Sequence, residues 1–329
     1  MISRVADHCF WMGRYLERAE STSRVLRVTS SLVLDAILPP AQVWTSALAV
    51  CGEDEPFLAL HGSAATADGL RVTEFLTWDT TVPSSLVNSV YAARENARSI
   101  REVVSLEAWE AINELHLWLS DGGGRREWEA RPDAFYRQVR TGTQLILGAV
   151  EHTMLHDNAF DFIVLGVLLE RVGQTARILD VHHHALMQLP PDLVREETLW
   201  LSLLRACAGF EPFMKRKAGR VSPGEVATFL MLEPRFPRSL VFCLREADQR
   251  LASIRTPGDQ SFPPLRCQAR LAALERFLAS RKVEDEDLHA LLTHVVEETA
   301  AICGELHQEL FEAPQRARPA PAERPWAEA

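Results

Sequence analysis

Residues 11–28 (WMGRYLERAESTSRVLRV) align without gaps on residues 164–181 (VLGVLLERVGQTARILDV), with eight of 18 positions identical. The shared residues are Gly13/Gly166, Leu16/Leu169, Glu17/Glu170, Arg18/Arg171, Thr22/Thr175, Arg24/Arg177, Leu26/Leu179 and Val28/Val181. Residues 44–57 repeat as 200–213, through Trp44/Trp200, Cys51/Cys207 and a Glu-Pro-Phe triplet. Residues 75–93 repeat as 229–247, through Phe-Leu, Pro83/Pro237 and Ser85/Ser239. The shifts are 153, 156 and 154 residues, in collinear order. Common helical periodicity would align leucines, but it would not align Gly, Glu, Arg, Pro and Trp. The pattern predicts a tandem duplication into units 1–155 and 156–312, each opening with a long helix, followed by a disordered Pro-rich tail at 313–329. Two copies are too few for a solenoid, so the expected architecture is a helical bundle with pseudo-twofold packing.

The fold class expected is all-α. Apolar residues recur at helical spacing over 3–37, 42–51, 67–77, 84–104, 106–120, 132–155, 157–188, 193–208, 223–232, 238–254, 264–281 and 285–311. Capping or starting residues stand at Pro83-Ser84-Ser85, Ser105, Pro132-Asp133 and Pro237-Arg238-Ser239. Pro39-Pro40 and Pro190-Pro191 stop the two opening helices, because Pro lacks a backbone donor and disfavours α geometry just before it. Ser120-Asp-Gly-Gly-Gly124 reads as a flexible turn.

Hydrophobic residues make up 47% of the 329 and charged residues 24%, which excludes a largely disordered chain. A net charge of −10 argues against nucleic acid as the partner. The six cysteines lie far apart in helix-like stretches without a CxxC pair, which fits reduced, buried thiols in a cytoplasm. The charged N-terminus is not a secretory h-region, and no apolar run approaches the ~20 residues that span a bilayer.

On the opening helices, Gly13, Glu17 and Arg24 fall near one face, as do Gly166, Glu170 and Arg177. The charges border the apolar face rather than opposing it. Mid-helix Gly costs about 1 kcal/mol against Ala and is tolerated where another backbone passes close by. Two uses of the stripe stay open. Glu17 and Glu170 are candidate catalytic groups or amine ligands, with Arg18, Arg24 and Arg177 holding carboxylate or phosphate. The same residues also suit a structural network that pins helix register.

Arg94, Arg98 and Arg101 share a helix face with Glu95 at its edge, and they pair with Glu17 or Asp79 in the fold or with an acidic ligand. Lys215-Arg216-Lys217-Ala-Gly-Arg220 is a basic loop in an acidic chain. His152 with His156 and Asp157, His182-His183-His184, and Glu286-x-x-His289 raise a metal. A di-iron bundle needs paired Glu-x-x-His motifs, and the first unit offers no partner, so no metal is expected. The chain lacks GxSxG, a Walker loop and a GxGxxG, so no cofactor is expected on it.

Ser3-Arg-Val-Ala-Asp7 followed by Trp11-Met-Gly-Arg-Tyr-Leu-Glu-Arg-Ala-Glu20 resembles the start of the bacterial alpha-E family. So do Phe75-Leu-Thr-Trp-Asp79 with Pro83-Ser-Ser85, the run from Ala92 to Glu102, Trp109-Glu110 with Asn113, and Phe236-Pro-Arg-Ser-Leu240. The resemblance runs from residue 1 to about 310. This chain departs from the pattern at His8-Cys-Phe10 and at Glu233-Pro234, where Asp-Arg is expected. The resemblance implies an all-helical unit that works with circularly permuted ATP-grasp ligases and transglutaminase-like peptidases. The implied function is a component of an amide-bond-forming or peptide-modifying system in which a partner uses the ATP. It brings no catalytic residue with it. The site residues to follow are Glu17, Arg18, Arg24, Glu170 and Arg177, then Asp79, Arg94, Glu95 and Arg98. The competing readings are a non-catalytic interaction scaffold and a metal-dependent helical enzyme.

Overall fold

Helix α1 (Ser3–Leu34) is buried on almost every side, and its buried residues include Glu17, Glu20, Ser21, Thr22 and Ser23 as well as Phe10, Leu16 and Leu26. A helix buried all round belongs at the centre of a bundle, and any polar group it carries there needs a partner. The computed structural model describes residues 3–35, 38–187, 193–216, 221–254, 265–283 and 287–312. Among these it is all-helical, without strands.

After α1 come α2 (Pro40–Cys51), α3 (Asp54–His61), a 3-10 turn (Ser63–Ala67) and α4 (Gly69–Trp78). They are followed by α5 (Leu86–Ser99), α6 (Leu106–Ser120), α7 (Gly123–Ala130) and α8 (Pro132–Thr153). The second long helix, α9 (Asn158–Met187), leads to α10 (Leu193–Ala206), α11 (Phe210–Arg216), α12 (Pro223–Leu232), α13 (Leu240–Ile254), α14 (Arg266–Ala279) and α15 (Leu288–Leu306). A π turn (His307–Phe311) extends α15.

Side chains cap where the sequence places them. Ser85 Oγ accepts from Asn88 N, Ser105 Oγ from Ala108 N, and Pro132 occupies the first turn of α8. Four short elements were not visible in the hydrophobic period: α3, the 3-10 turn, α7 and α11. Gly123 and Gly124, read as turn, open α7; only Gly122 takes the left-handed conformation there (φ 83°). Pro40 starts α2, while α1 already ends at Leu34. Pro190-Pro191 and the tail 313–329 lie outside the described residues.

The centre of the molecule is the crossing of α1 and α9, which are packed together more extensively than any other two helices. Helices α5 and α8 flank α1, and α13 and α15 flank α9. Helix α2 also reaches α9, and α10 reaches α1. The crossing is close because it is made by glycines. A Cβ on Gly13 would lie 2.0 Å from Ile163 O, and one on Gly166 would lie 2.1 Å from Phe10 O. The approach of a second backbone, expected from mid-helix glycine, is present at both positions.

Gly13→Ala or Gly166→Ala must push the two long helices apart. Each is expected to cost about 3 kcal/mol or more. Gly148→Ala in α8 meets nothing within 4 Å and should gain up to about 1 kcal/mol. Urea unfolding midpoints of the three variants check this.

Candidate functional site

Glu170 of α9 is almost completely buried and bound by two arginines of α1. Arg18 Nε donates to Oε1 at 2.8 Å and Nη2 to Oε2 at 3.1 Å; Arg14 Nε donates to Oε2 at 2.8 Å. Gln174 Nε2 adds a contact at 3.3 Å. Burial works against the charge, but Arg14 and Arg18 outweigh it and hold the carboxyl at about 2. Arg14 Nη1 also donates to Cys303 Sγ at 3.1 Å.

Glu17 of α1 makes the reverse crossing. Arg171 of α9 donates from Nη2 to Oε2 at 2.8 Å, and Arg238 donates from Nη1 to Oε1 at 2.6 Å. Arg238 comes from the turn before α13 and reaches Glu20 as well. Glu20 is the third buried carboxylate. It also accepts from Arg24 Nη2 at 2.6 Å and from Gln144 Nε2 at 3.1 Å. Burial opposes its charge, yet Arg238 and Arg24 carry it down to about 2. Burial likewise disfavours the Arg238 guanidinium, and Glu17 and Glu20 raise it above its ordinary value. Arg18 forks onto both oxygens of Glu170, the geometry in which such pairs are strong, while Arg238 bridges Glu17 and Glu20.

Several expected site residues fall elsewhere. Arg24 pairs with Glu20, one turn away, rather than with Glu17. Arg177 joins no such pair: its Nε is buried without a hydrogen bond, and burial lowers its guanidinium, with Glu170 opposing and Arg18 adding to the shift. Asp79 ends α4 and accepts from Thr81 N at 2.8 Å and Thr81 Oγ1 at 2.6 Å, a local turn. Arg94 and Arg98 both hold Glu95, and Arg94 Nε donates to Asn113 at 3.2 Å. Arg101 lies past the end of α5 and stacks over Trp109 at 4.4 Å, so it does not share the expected helix face. This group meets neither Glu17 nor Asp79.

Four members of the network are absent from the residues that the sequence points to: the carboxylate Glu20 and the guanidinium groups of Arg14, Arg171 and Arg238. The i,i+4 spacing of Glu20 and Arg24 was a usable signal. Arg14 faces Val167 in the repeat alignment and left no trace in it.

One side of the network opens to solvent. A cleft of about 680 Å³ is lined by Glu20, Arg24, Arg171 and Arg238, with Lys215 and Arg216 of the basic segment and the apolar Leu147, Phe229 and Phe236. A smaller lobe of about 360 Å³ adjoins it at Arg24 and Ala208. Glu233, aligned with Asp79, lines the larger cleft and pairs with Arg216. The two acids each follow the end of a helix, α4 and α12, but make different contacts.

Among the described residues, no group of three His, Cys, Asp or Glu is arranged to hold a metal. His289 pairs with Asp180 at 2.7 Å, His182 with Ile178 O and His156 with Glu151 O. All six cysteines are free, and burial pushes Cys9, Cys51 and Cys207 up to about 12, far from thiolate character. Among the described residues, no helix is long and apolar enough to cross a membrane.

Residues 1–311 match the model of the Alpha-E family, described as a predicted alpha-helical domain with a conserved ER motif. The chain belongs to the Alpha-E family. Two Glu-Arg dipeptides of this Alpha-E chain, Glu17-Arg18 and Glu170-Arg171, are the ones joined across the central crossing. Each dipeptide sends its Glu to the other's Arg. An uncharacterised protein of Mycobacterium bovis is 25% identical over 279 residues, covering 79% of this chain and 31% of the relative. Two uncharacterised proteins of Mycobacterium tuberculosis match over the same length at 25% and 24% identity. The chain therefore spans about a third of the length of these curated relatives. No solved structure matches.

Glu170→Gln leaves Arg14 and Arg18 buried without a counter-charge and is expected to cost about 3–5 kcal/mol in urea unfolding at neutral pH. The lowered Glu170 carboxyl adds stability that is complete above the ordinary value of 4.5 and lost as pH falls through about 2. That contribution is on the order of 3 kcal/mol. A stability–pH profile of the variant should therefore lose slope between pH 4.5 and 2 relative to the parent.

Proposed function

We propose that this Alpha-E chain is the binding, non-catalytic helical component of an amide-bond-forming or peptide-modifying system. Its partners in this reading are a circularly permuted ATP-grasp ligase, which uses the ATP, and a transglutaminase-like peptidase. The Glu/Arg network holds the cleft beside it in shape, and the cleft takes a charged substrate group. The location is cytoplasmic, in keeping with six free cysteines.

One observation carries the choice of binding over catalysis. Glu17, Glu20 and Glu170 are buried and each is bound by two arginines. A general acid or base needs a value near the working pH and a free lone pair toward the substrate. All three have both oxygens engaged, and Glu20 and Glu170 are held at about 2, far from such a value. The ligase reading rests on the family resemblance. The relatives' extra length also supports it, since in them the matched unit is carried within a longer chain.

We further read the two long helices as copies of one ancestral unit. The reciprocal glycine contacts and reciprocal Glu–Arg pairs favour this. The helix ends after α2 and α10 favour it too. Gly52 N bonds to Ala49 O and Glu53 N to Leu48 O; Ala208 N bonds to Arg205 O and Gly209 N to Leu204 O. On this reading residues 1–155 and 156–312 pack as one pseudo-twofold bundle.

The test is reconstitution with the ligase and mass spectrometry for an ATP-dependent amide product. Product is expected only with both proteins. Arg235→Glu, on the exposed cleft rim, should raise the KM for substrate about tenfold or more. Folded Glu17→Gln should stay within about tenfold of parental turnover, whereas loss of a general acid–base costs about 10²–10⁴-fold. A loss of that larger size in folded protein would make Glu17 catalytic and sink the binding-only reading.

A further inference from the structure

The two lobes beside the network form a cationic cleft in an acidic protein. Nine Arg and Lys side chains line them, against the four carboxylates Glu20, Asp35, Glu211 and Glu233. The smaller lobe holds four guanidinium groups, Arg24 and Arg27 from α1, Arg140 from α8 and Arg205 from α10, with the hydroxyls of Ser23, Ser31 and Ser202. Arg24 and Arg27 spend one edge each on Glu20 and Asp133. Arg140 and Arg205 are in no ion pair among the described residues. Arg140 Nε is buried and has no hydrogen-bond partner. Asp35 and Glu211 also border the lobe and, like Arg205, are exposed at its rim, whereas Arg140 is half-buried. Burial and the nearby Arg24 and Arg27 lower the Arg140 guanidinium, the shift expected of cations gathered without enough counter-charge.

The junction of the lobes is conformationally unusual. Ala208 lines both and has φ 54°, the only positive value outside glycine among the described residues. Its aligned counterpart Gly52 adopts φ 74°. A left-handed conformation strains any residue with a Cβ, and such strain gathers at functional sites.

We propose that this cleft binds a phosphate monoester, with the phosphate on Arg24, Arg140 and Arg205 in the smaller lobe and an organic body in the larger one. Three or more guanidinium donors suit a group with three terminal oxygens and close to two negative charges better than a carboxylate with two oxygens and one. The 360 Å³ lobe takes a group of that size, and Leu147, Phe229 and Phe236 give the adjoining lobe an apolar wall for a ring or chain. This names the ligand class for the cleft assigned above to substrate binding, and it does not depend on the ligase.

Isothermal titration of the full chain at constant ionic strength tests it, with phenyl phosphate, inorganic phosphate and benzoate as probes. Phenyl phosphate is expected to bind one-to-one and about tenfold more tightly than either of the others. Arg140→Gln and Arg205→Gln should each weaken it about tenfold, and Arg98→Gln, on α5, should leave it unchanged. Arg140→Gln removes an unpaired, partly buried charge and should keep full helical circular dichroism. Arg140→Lys should recover only part of the affinity, because an ammonium lacks the fork. Equal binding by Arg140→Gln and Arg205→Gln, or by benzoate, would overturn the phosphate site. Equal affinity for inorganic phosphate would overturn the organic body. The isolated chain is titrated, so a missing ligase partner leaves this result standing, and a missing phosphate site leaves the ligase reading standing.

Discussion

Three carboxylates and their guanidinium partners lie where the two long helices cross, in a region that would otherwise be apolar. Removing such charges from water costs several kcal/mol per ion, and only close, fully paired geometry repays it. The pairing here is reciprocal: Glu17 of α1 meets Arg171 of α9, and Glu170 of α9 meets Arg14 and Arg18 of α1. An apolar crossing could slide by a turn at modest cost. This one cannot, because a slip of one residue strands charges on both helices. The glycines set the separation at which the salt bridges close, and Arg238 ties the following helix to the same point.

The reciprocity ends at the surface. Around Glu170 the partners are Arg14 and Arg18, and Arg14 also meets Cys303. Around Glu17 and Glu20 it continues into the cleft through Arg24, Arg171 and Arg238. The Arg94–Glu95–Arg98 group has no aligned counterpart, since Asp248, Gln249 and Arg250 stand near that place in the second half. The reciprocal pairs at the crossing thus sit beside surface groups that do not repeat.

The sequence made the long helices, most caps and the burial of Glu17 and Glu170 legible, since each leaves a local trace: periodicity, a capping residue, or a charge beside an apolar face. Short helices such as α3 and α11 left too few turns for a period to register. Partner choice was hidden for a different reason. Arg238 reads as part of a helix start, and nothing near it points to Glu17, 221 residues away. The cleft was invisible as well, since it is assembled from α1, α8, α9, α10, α11, α12 and the turn before α13, elements that only the tertiary fold brings together.

The sequence separation of these pairs bears on how the chain is made. Glu17 leaves the ribosome well before Arg171 and Arg238, its partners 154 and 221 residues downstream. Nascent α1 therefore carries a carboxylate, Glu17, whose arginine partners both lie in the second half. Such long-range closure slows folding and leaves surface uncovered in the interval. Completion of the native state must await synthesis of α13, and fragments cut between α8 and α9 would each retain half of an unbalanced charge set.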